Sequence, residues 1–240
     1  MDLITAAPTE RRGFLQRLAA AAVALTATGW GTAHAQAAGA KSSAKPSERS
    51  AAPSGPPVPG DAWLARIRGT HRQVIDAVEP NDGFAAAFAA NIVDGYKKTH
   101  NVQNADITPV VVFRHFAMPL MLNDDIWAKY KLADFLANVG QKITDPKTNA
   151  PATRNIFKDN VPLHPGLTYE EMAKGPYVFV ACNLALTVLS SMAAQGAGVS
   201  ADQAKQEWTA GLIPGVFLAP SGVYAVSRSQ EAGCKYCYGG

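Results

Sequence analysis

Residues 107–113 form a continuous run of apolar and β-branched side chains, ITPVVVF. A strand of this kind is covered on both faces, which is typical of a parallel sheet between two layers of helices. Shorter runs of similar character occur at residues 73–78, 177–181 and 216–219, and segments with helical spacing of apolar residues separate them. The sequence therefore predicts an α/β fold: a single three-layer domain, residues 61–240, with a predominantly parallel sheet flanked by helices.

The remaining elements complete a regular alternation of strands and helices. The predicted helices are residues 84–98, 126–136, 183–195, 200–212 and 221–230. A final short strand includes Tyr236. The predicted order is β-α-β-α-β-α-α-β-α-β.

One long segment, residues 139–176, interrupts this alternation. It contains five prolines and many polar residues, with about one helical turn predicted at residues 169–173. A long irregular excursion within a compact domain is usually functional or disordered, and the sequence leaves both alternatives open.

The N-terminal residues have the pattern of a twin-arginine export signal. Arg11 and Arg12 are followed by Gly13, Phe14 and Leu15, and then by a weakly apolar stretch, residues 18–27. This stretch is about half as long as a membrane-spanning helix, so we expect no stable membrane anchor after cleavage. The sequence Ala-His-Ala at residues 33–35 predicts a signal peptide of residues 1–35, recognised by the twin-arginine translocase. The alternative is an amphipathic N-terminal helix of a cytosolic protein.

Residues 36–60 are rich in Ala, Ser, Pro and Gly, which predicts a disordered tether. Six of the 22 basic and three of the 19 acidic side chains precede residue 61, leaving 16 of each in the domain. A neutral domain without a basic cluster disfavours nucleic acid as a partner. The expected location is periplasmic or otherwise exported.

Polar or reactive residues follow three of the predicted strands. They are Arg114 and His115, Cys182 and Asn183, and Pro220 and Ser221. Because ligands of parallel α/β folds collect at the carboxyl ends of the strands, we expect these residues to converge on one rim. The candidate binding residues are therefore His115, Asn183 and Ser221.

Cys182 is the candidate catalytic residue. It lies at the junction of a predicted buried strand and an apolar helix, where unsatisfied backbone N–H groups and the helix dipole stabilise a thiolate. A nucleophile or sulfur carrier is one interpretation. The alternative is a small buried side chain, since free cysteines are among the most buried residue types.

The two other cysteines, Cys234 and Cys237, form a C-x-x-C close to the last residue. Redox motifs of this spacing normally open a helix after a strand, so a local disulfide or two passive thiols is the favoured interpretation. His100, His115 and His164 show no metal-ligand spacing, and the chain has neither a glycine-rich phosphate loop nor a G-x-S-x-G motif. We expect no metal and no cofactor.

The second half of the chain resembles the DsrE-like sulfur-relay family over residues 177–238. The resemblance rests on a strand ending in Cys182 before an apolar helix, then on Leu-Ile-Pro-Gly-Val at residues 212–216, Pro-Ser-Gly-Val at 220–223 and Ser-Gln-Glu-Ala-Gly-Cys at 229–234. It implies a small α/β domain that often assembles into homo-oligomers, with a persulfide carried at the position of Cys182. The export signal, the excursion at residues 139–176 and the terminal cysteine pair depart from the family.

Two hypotheses follow for the function, and the sequence leaves open whether the protein is an enzyme. In the first, Cys182 receives or donates sulfane sulfur. In the second, the protein is a non-catalytic periplasmic module for ligand binding or assembly, with Cys182 in the core and the excursion in contact with a ligand or partner. A third and weaker hypothesis gives Cys234 and Cys237 a thiol-disulfide role.

Overall fold

The computed structural model describes residues 60–240. The predicted signal peptide and all but the last residue of the predicted tether lie outside the described residues. Within the described part, five strands form one parallel sheet in the order β6-β5-β2-β1-β7. Its strands are β1 His71–Ala77, β2 Ile107–Phe113, β5 Val178–Cys182, β6 Phe217–Ala219 and β7 Lys235–Tyr238.

Seven α-helices accompany the sheet among residues 60–240. They are α1 Phe84–His100, α2 Asp124–Lys129, α3 Leu132–Ala137, α4 Tyr169–Lys174, α5 Asn183–Ala194, α6 Ala201–Ala210 and α7 Gly222–Glu231. No single one of these helices is long and apolar enough to cross a membrane, whereas one pair, residues 183–197 and 201–210, meets the length and composition criteria together despite a bend of 114°. The predicted fold class is confirmed: the domain is α/β, with a parallel sheet flanked by helices.

The sheet separates two apolar layers. On one face, Val74, Val112 and Val180 from three neighbouring strands share a cluster with Trp63 and with Ala225 of α7. On the other face, α1 packs against β1 and β2, and a Cβ added to Gly239 would contact both Ile75 and Ala85. Side chains that alternate along a strand therefore enter different layers, which explains why β2 is apolar at both sets of positions.

One predicted helix differs from the structure. Residues 126–136 were expected to form a single helix, but they belong to α2 and α3, with a break at Lys131. Lys131 adopts a left-handed conformation with φ of 46°. A helix cannot continue through this conformation, and apolar spacing alone does not reveal such a break.

The excursion at residues 139–176 is ordered, so the disordered alternative is wrong. It contains a short antiparallel hairpin, β3 Thr144–Asp145 with β4 Ala150–Pro151, and the predicted turn of helix is confirmed as α4. The buried side chain of Asn155 donates from Nδ2 to the carbonyls of Leu120 and Leu122, at 2.8 and 2.7 Å. Tyr169, the first residue of α4, stacks in the core against Phe113 and Phe179. Buried hydrogen bonds and aromatic packing thus hold the excursion against the domain, although it contains few regular helices and strands.

Candidate functional site at the carboxyl edge of the sheet

The strand register brings three functional side chains to one face of the sheet. Asp76 pairs with Val112, and Val112 pairs with Val180, so these residues form one row across the strands. Arg114 lies two positions after Val112, and Cys182 lies two positions after Val180. Since side chains alternate, Asp76, Arg114 and Cys182 share the face covered by α7, at the carboxyl edge.

An ion pair joins β1 to the end of β2. Arg114 donates from Nε to Oδ1 of Asp76 at 2.7 Å and from a terminal nitrogen to Oδ2 at 3.0 Å. The hydroxyl of Tyr236 on β7 donates to the same Oδ2 at 3.0 Å. Asp76 is buried, whereas the side chain of Arg114 is 26% exposed. A bidentate pair of this kind fixes the plane of the guanidinium.

The charges of this cluster act on one another. The hydrogen bond to Asp76 raises the pKa of Arg114 above its ordinary value, against desolvation, and Cys182 contributes further in the same direction. Burial raises the pKa of Tyr236, and its hydrogen bond to Asp76 adds to this effect. Arg114 is thus a permanent cation near enough to Cys182 for the two side chains to interact electrostatically.

Gly222 makes room for Arg114 at the first residue of α7. A Cβ at this position would lie 2.3 Å from Cβ and 2.8 Å from Cδ of Arg114. Real Cβ atoms do not approach other atoms so closely, so any other residue would displace either the helix or the arginine. Gly222 is therefore needed for α7 to pack against Arg114.

Cys182 caps the N-terminus of α5. Its Sγ accepts a hydrogen bond from the backbone N–H of Ala185 at 3.2 Å, and the residue is 5% exposed. The thiol therefore lies at the positive end of a twelve-residue helix and on the same face as the Arg114 guanidinium. Helix N-termini and nearby cations are the surroundings in which reactive cysteines of other proteins are found.

The predicted binding residues occupy different positions around this cluster. His115 has a left-handed conformation with φ of 51°, and its ring lies 4.0 Å, centroid to centroid, from that of Phe116. Burial lowers the pKa of His115, and Arg114 lowers it further. Asn183 is the half-buried first residue of α5. Ser221 caps α7 by accepting the N–H of Tyr224 at 3.3 Å, which assigns it a structural contact.

All three cysteines are free thiols in the structure, so Cys234 and Cys237 correspond to the alternative of two unbonded thiols and not to a local disulfide. Cys234 precedes β7 and belongs to the apolar cluster beneath α7. Cys237 lies within β7 opposite Ile75 and is half-buried. Positions three apart along an extended chain point to opposite faces, so the two thiols enter different layers. Burial raises the pKa of the Cys234 thiol to about 12.

Sequence reasoning missed two members of the cluster, Asp76 and Tyr236, as functional candidates. Asp76 did carry a signal, because an acidic residue inside the apolar run 73–78 must find a partner when it is buried. Tyr236 carried none, since its contact depends on the pairing of the last strand with the first. The sequence identifies Arg114 only as a strand-end residue. The register between β2 and β5 shows that it is the neighbour of Cys182.

A concave region lies beside the excursion. It is a groove of about 480 Å³ between α2, α3 and the β4 segment, lined by residues that include Trp127, Lys131, Asp134 and Ala152. Among residues 60–240, no group of three or more His, Cys, Asp or Glu side chains is arranged to hold a metal ion.

Comparisons with known proteins give little further information. No protein-family model matches the chain, and no curated protein matches it significantly. One solved structure that matches is that of a protein of unknown function from Methanobacterium thermoautotrophicum, with 15% identity and a TM-score of 0.33, covering 70% of this chain and 98% of that one. The fold class follows from the strand order and register of this chain.

Proposed function

We propose that the protein is an exported DsrE-like protein that carries sulfane sulfur on Cys182. The observation that supports this proposal is the environment of the thiol. Its Sγ accepts a backbone N–H at a helix N-terminus, on the face where Asp76 holds the Arg114 guanidinium. A sulfur carrier needs a stabilised thiolate before transfer and a stabilised persulfide anion after it, and one fixed cation serves both.

The proposed transfer is balanced without an external oxidant. The Cys182 thiolate attacks the outer sulfur of a persulfide donor, R–S–SH. The S–S bond of the donor breaks, a new S–S bond forms at Cys182, and the donor leaves as the thiolate R–S⁻. The proton of the outer sulfur stays with it or is lost to solvent, and the product is the Cys182 persulfide.

Mass spectrometry of the purified protein tests the transfer. Incubation with a small-molecule persulfide should add one sulfur atom, about 32 Da, to the peptide that contains Cys182. Cys182→Ser should abolish this adduct, and Cys237→Ser should preserve it because Cys237 lies in the other layer of the domain. An adduct that survives Cys182→Ser, or no adduct at all, would reject the proposal.

Export and assembly belong to the same proposal. The arginine pair and the apolar stretch before residue 36 support passage through the twin-arginine translocase. The resemblance to the DsrE-like family supports a homo-oligomer, and the export signal supports a periplasmic location. Cell fractionation of the wild-type chain and of Arg11→Lys/Arg12→Lys tests the export, since the double variant should remain in the cytoplasm.

A second candidate function has its own supporting observation. Cys182 is 5% exposed, and the ordered excursion forms one wall of the groove of about 480 Å³ beside Trp127. A ligand-binding or assembly module would use this groove and leave Cys182 as a core residue. Slow alkylation of Cys182 in the native protein, together with an oligomer size that is unchanged in Cys182→Ser, would favour this function over sulfur transfer.

A further inference from the structure

The last strand, β7, is one edge of the sheet. It pairs with β1 along one side, and no strand lies along its other side within the part of the chain that the structure describes. Its side chains are accessible as well, since Tyr236 is 49% and Tyr238 60% exposed. An open edge carries N–H and C=O groups without a strand partner, which makes it a template for pairing with another chain.

The backbone groups at this open edge belong to Tyr236 and Tyr238. The N–H of Gly239 donates to the carbonyl of Asp76 at 2.9 Å, so Gly239 directs its backbone groups toward β1. Successive residues of a strand direct these groups alternately to its two sides, so Cys237 also faces β1 and the two tyrosines face outward. Each tyrosine therefore directs one donor and one acceptor away from the domain.

The Cys237 thiol lies beside the same edge. Its Sγ donates to the carbonyl of Tyr238 at 3.5 Å, and this carbonyl is one of the outward-directed acceptors. The cysteine is half-buried and its thiol is free. A strand that pairs with the open edge would therefore approach this thiol directly.

The sequence of the edge is symmetric about Cys237, which favours a second copy of this chain as the partner. Residues 236–238 read Tyr-Cys-Tyr, so a two-fold axis at Cys237 places Tyr236 of one copy opposite Tyr238 of the other. Both residues face outward, so each such pair can exchange the two hydrogen bonds of an antiparallel ladder. Aromatic residues opposite each other are favourable cross-strand pairs. Residues 61–240 contain 16 basic and 16 acidic side chains, so no net charge of the domain opposes the approach of a second copy.

The same symmetry brings the two Cys237 residues together. They lie between two hydrogen-bonded pairs, at a position where opposite Cα atoms are about 4.5 Å apart. Disulfides span Cα distances of about 4.4–6.8 Å. We propose that two copies of this chain pair antiparallel along β7, about a two-fold axis at Cys237, so that their sheets become continuous. This inference specifies an interface for the proposed homo-oligomer and does not depend on sulfur transfer at Cys182.

Disulfide cross-linking of the full-length chain tests the interface. Diamide takes up the two protons and two electrons that a pair of thiols releases when a disulfide forms. At low micromolar protein it should give a covalent dimer in the wild type and in Cys182→Ser but not in Cys237→Ser, and mass spectrometry should find two Cys237 peptides linked to each other. The matched control is Cys237→Ser/Lys205→Cys, which carries a thiol at an exposed position of α6. The wild type should cross-link at least about tenfold faster than this control, because pairing raises the effective concentration of the two thiols.

A backbone variant tests the strand pairing independently. Tyr238→Pro removes an outward N–H that the fold of one copy does not use, so it should slow the cross-linking at least about tenfold. Tyr238→Ala keeps this N–H and should cross-link at a rate close to that of the wild type. Circular dichroism of the two variants should show equal secondary structure.

Two results would overturn the proposal. A wild-type chain that cross-links no faster than the Lys205→Cys control would show that random collisions join the thiols. Equal rates in Tyr238→Pro and Tyr238→Ala would show that the backbone edge does not form the contact. A sulfur adduct on Cys182 without preferential cross-linking of Cys237 would reject this interface and keep sulfur transfer, whereas the reverse result would reject sulfur transfer alone.

Discussion

Cys182 and Cys234 are almost equally buried, at 5% and 6% exposure, yet they lie in opposite chemical environments on the same face of the sheet. The Cys182 thiol accepts a backbone N–H at a helix N-terminus and interacts with the Arg114 guanidinium. The Cys234 thiol belongs to the apolar cluster of Trp63, Val74 and Ala225. Burial raises the pKa of Cys234 to about 12, and the charge of Arg72 lowers this pKa by a smaller amount.

The comparison shows that burial does not by itself distinguish a structural cysteine from a candidate reactive one. The free energy of forming a thiolate depends on whether dipoles and charges replace the lost water. At Cys182 the chain provides a helix terminus and a cation held by a carboxylate. At Cys234 it provides methyl groups and an indole ring, so the neutral thiol is the stable form.

Removing Asp76 should give the largest effect, because it leaves Arg114 and Tyr236 without their shared acceptor. Loss of one partner of a buried ion pair costs about 3–5 kcal/mol, and the partial exposure of Arg114 reduces the expected loss for Asp76→Ala to about 2–3 kcal/mol. Urea denaturation measures this loss as a change in the free energy of unfolding. The matched control is Asp94→Ala, which removes an exposed pair with Lys98 and should cost less than about 0.5 kcal/mol. Equal losses in the two variants would contradict the role of Asp76 in fixing the guanidinium.

Serine substitutions at Cys182 and Cys234 should lower the free energy of unfolding by different amounts, and both losses should be no larger than that of Asp76→Ala. In Cys234→Ser, a hydroxyl enters an apolar cluster, and the expected loss is about 1–3 kcal/mol. In Cys182→Ser, the hydroxyl can accept the same Ala185 N–H, and serine is a favoured N-cap, so the expected loss is below about 1 kcal/mol. Urea denaturation of both variants checks the difference. A larger loss for Cys182→Ser than for Cys234→Ser would show that Cys182 is the more tightly packed core residue.

The sequence was sufficient to predict the strands of the main sheet. Residues 107–113 and 217–219 are predicted within one residue of their ends, because short, predominantly apolar runs between helical segments leave few alternatives. The helix break at Lys131 was not predicted, since it depends on one backbone conformation that lysine rarely adopts. The sequence also does not predict that the excursion is folded, because its buried Asn155 side chain donates hydrogen bonds to carbonyls more than thirty residues away in the sequence.

The candidate site was predicted only in part, for a physical reason. Cys182 could be identified because its environment depends on a local strand-helix junction. The partners Asp76, Arg114 and Tyr236 are brought together by a sheet order in which the last strand pairs with the first. That pairing joins residues as far apart as Asp76 and Tyr236, which are 160 positions apart in the sequence, and it leaves no local signature. The sequence instead predicts its neighbour His115 as the binding residue at this strand end.

The smallest expected effect is the contribution of Cys234 to the pH dependence of the free energy of unfolding. The unfolded thiol has a pKa of 9.0 and the folded one of about 12, so above pH 9 the unfolded chain releases a proton that the folded chain retains. The unfolded state then binds fewer protons, and the stability present below pH 9 is lost as the pH rises toward the folded pKa. Between pH 9 and 10 this thiol should lower the free energy of unfolding by about 1 kcal/mol. Urea denaturation at the two pH values should show a decrease in the wild type and in Cys237→Ala that is about 1 kcal/mol larger than the decrease in Cys234→Ala. A smaller decrease remains in Cys234→Ala because groups such as Tyr177, whose pKa burial raises to about 12, also lose stability in this range. An equal decrease in Cys234→Ala and in the wild type would mean that the apolar environment of Cys234 does not hold its proton.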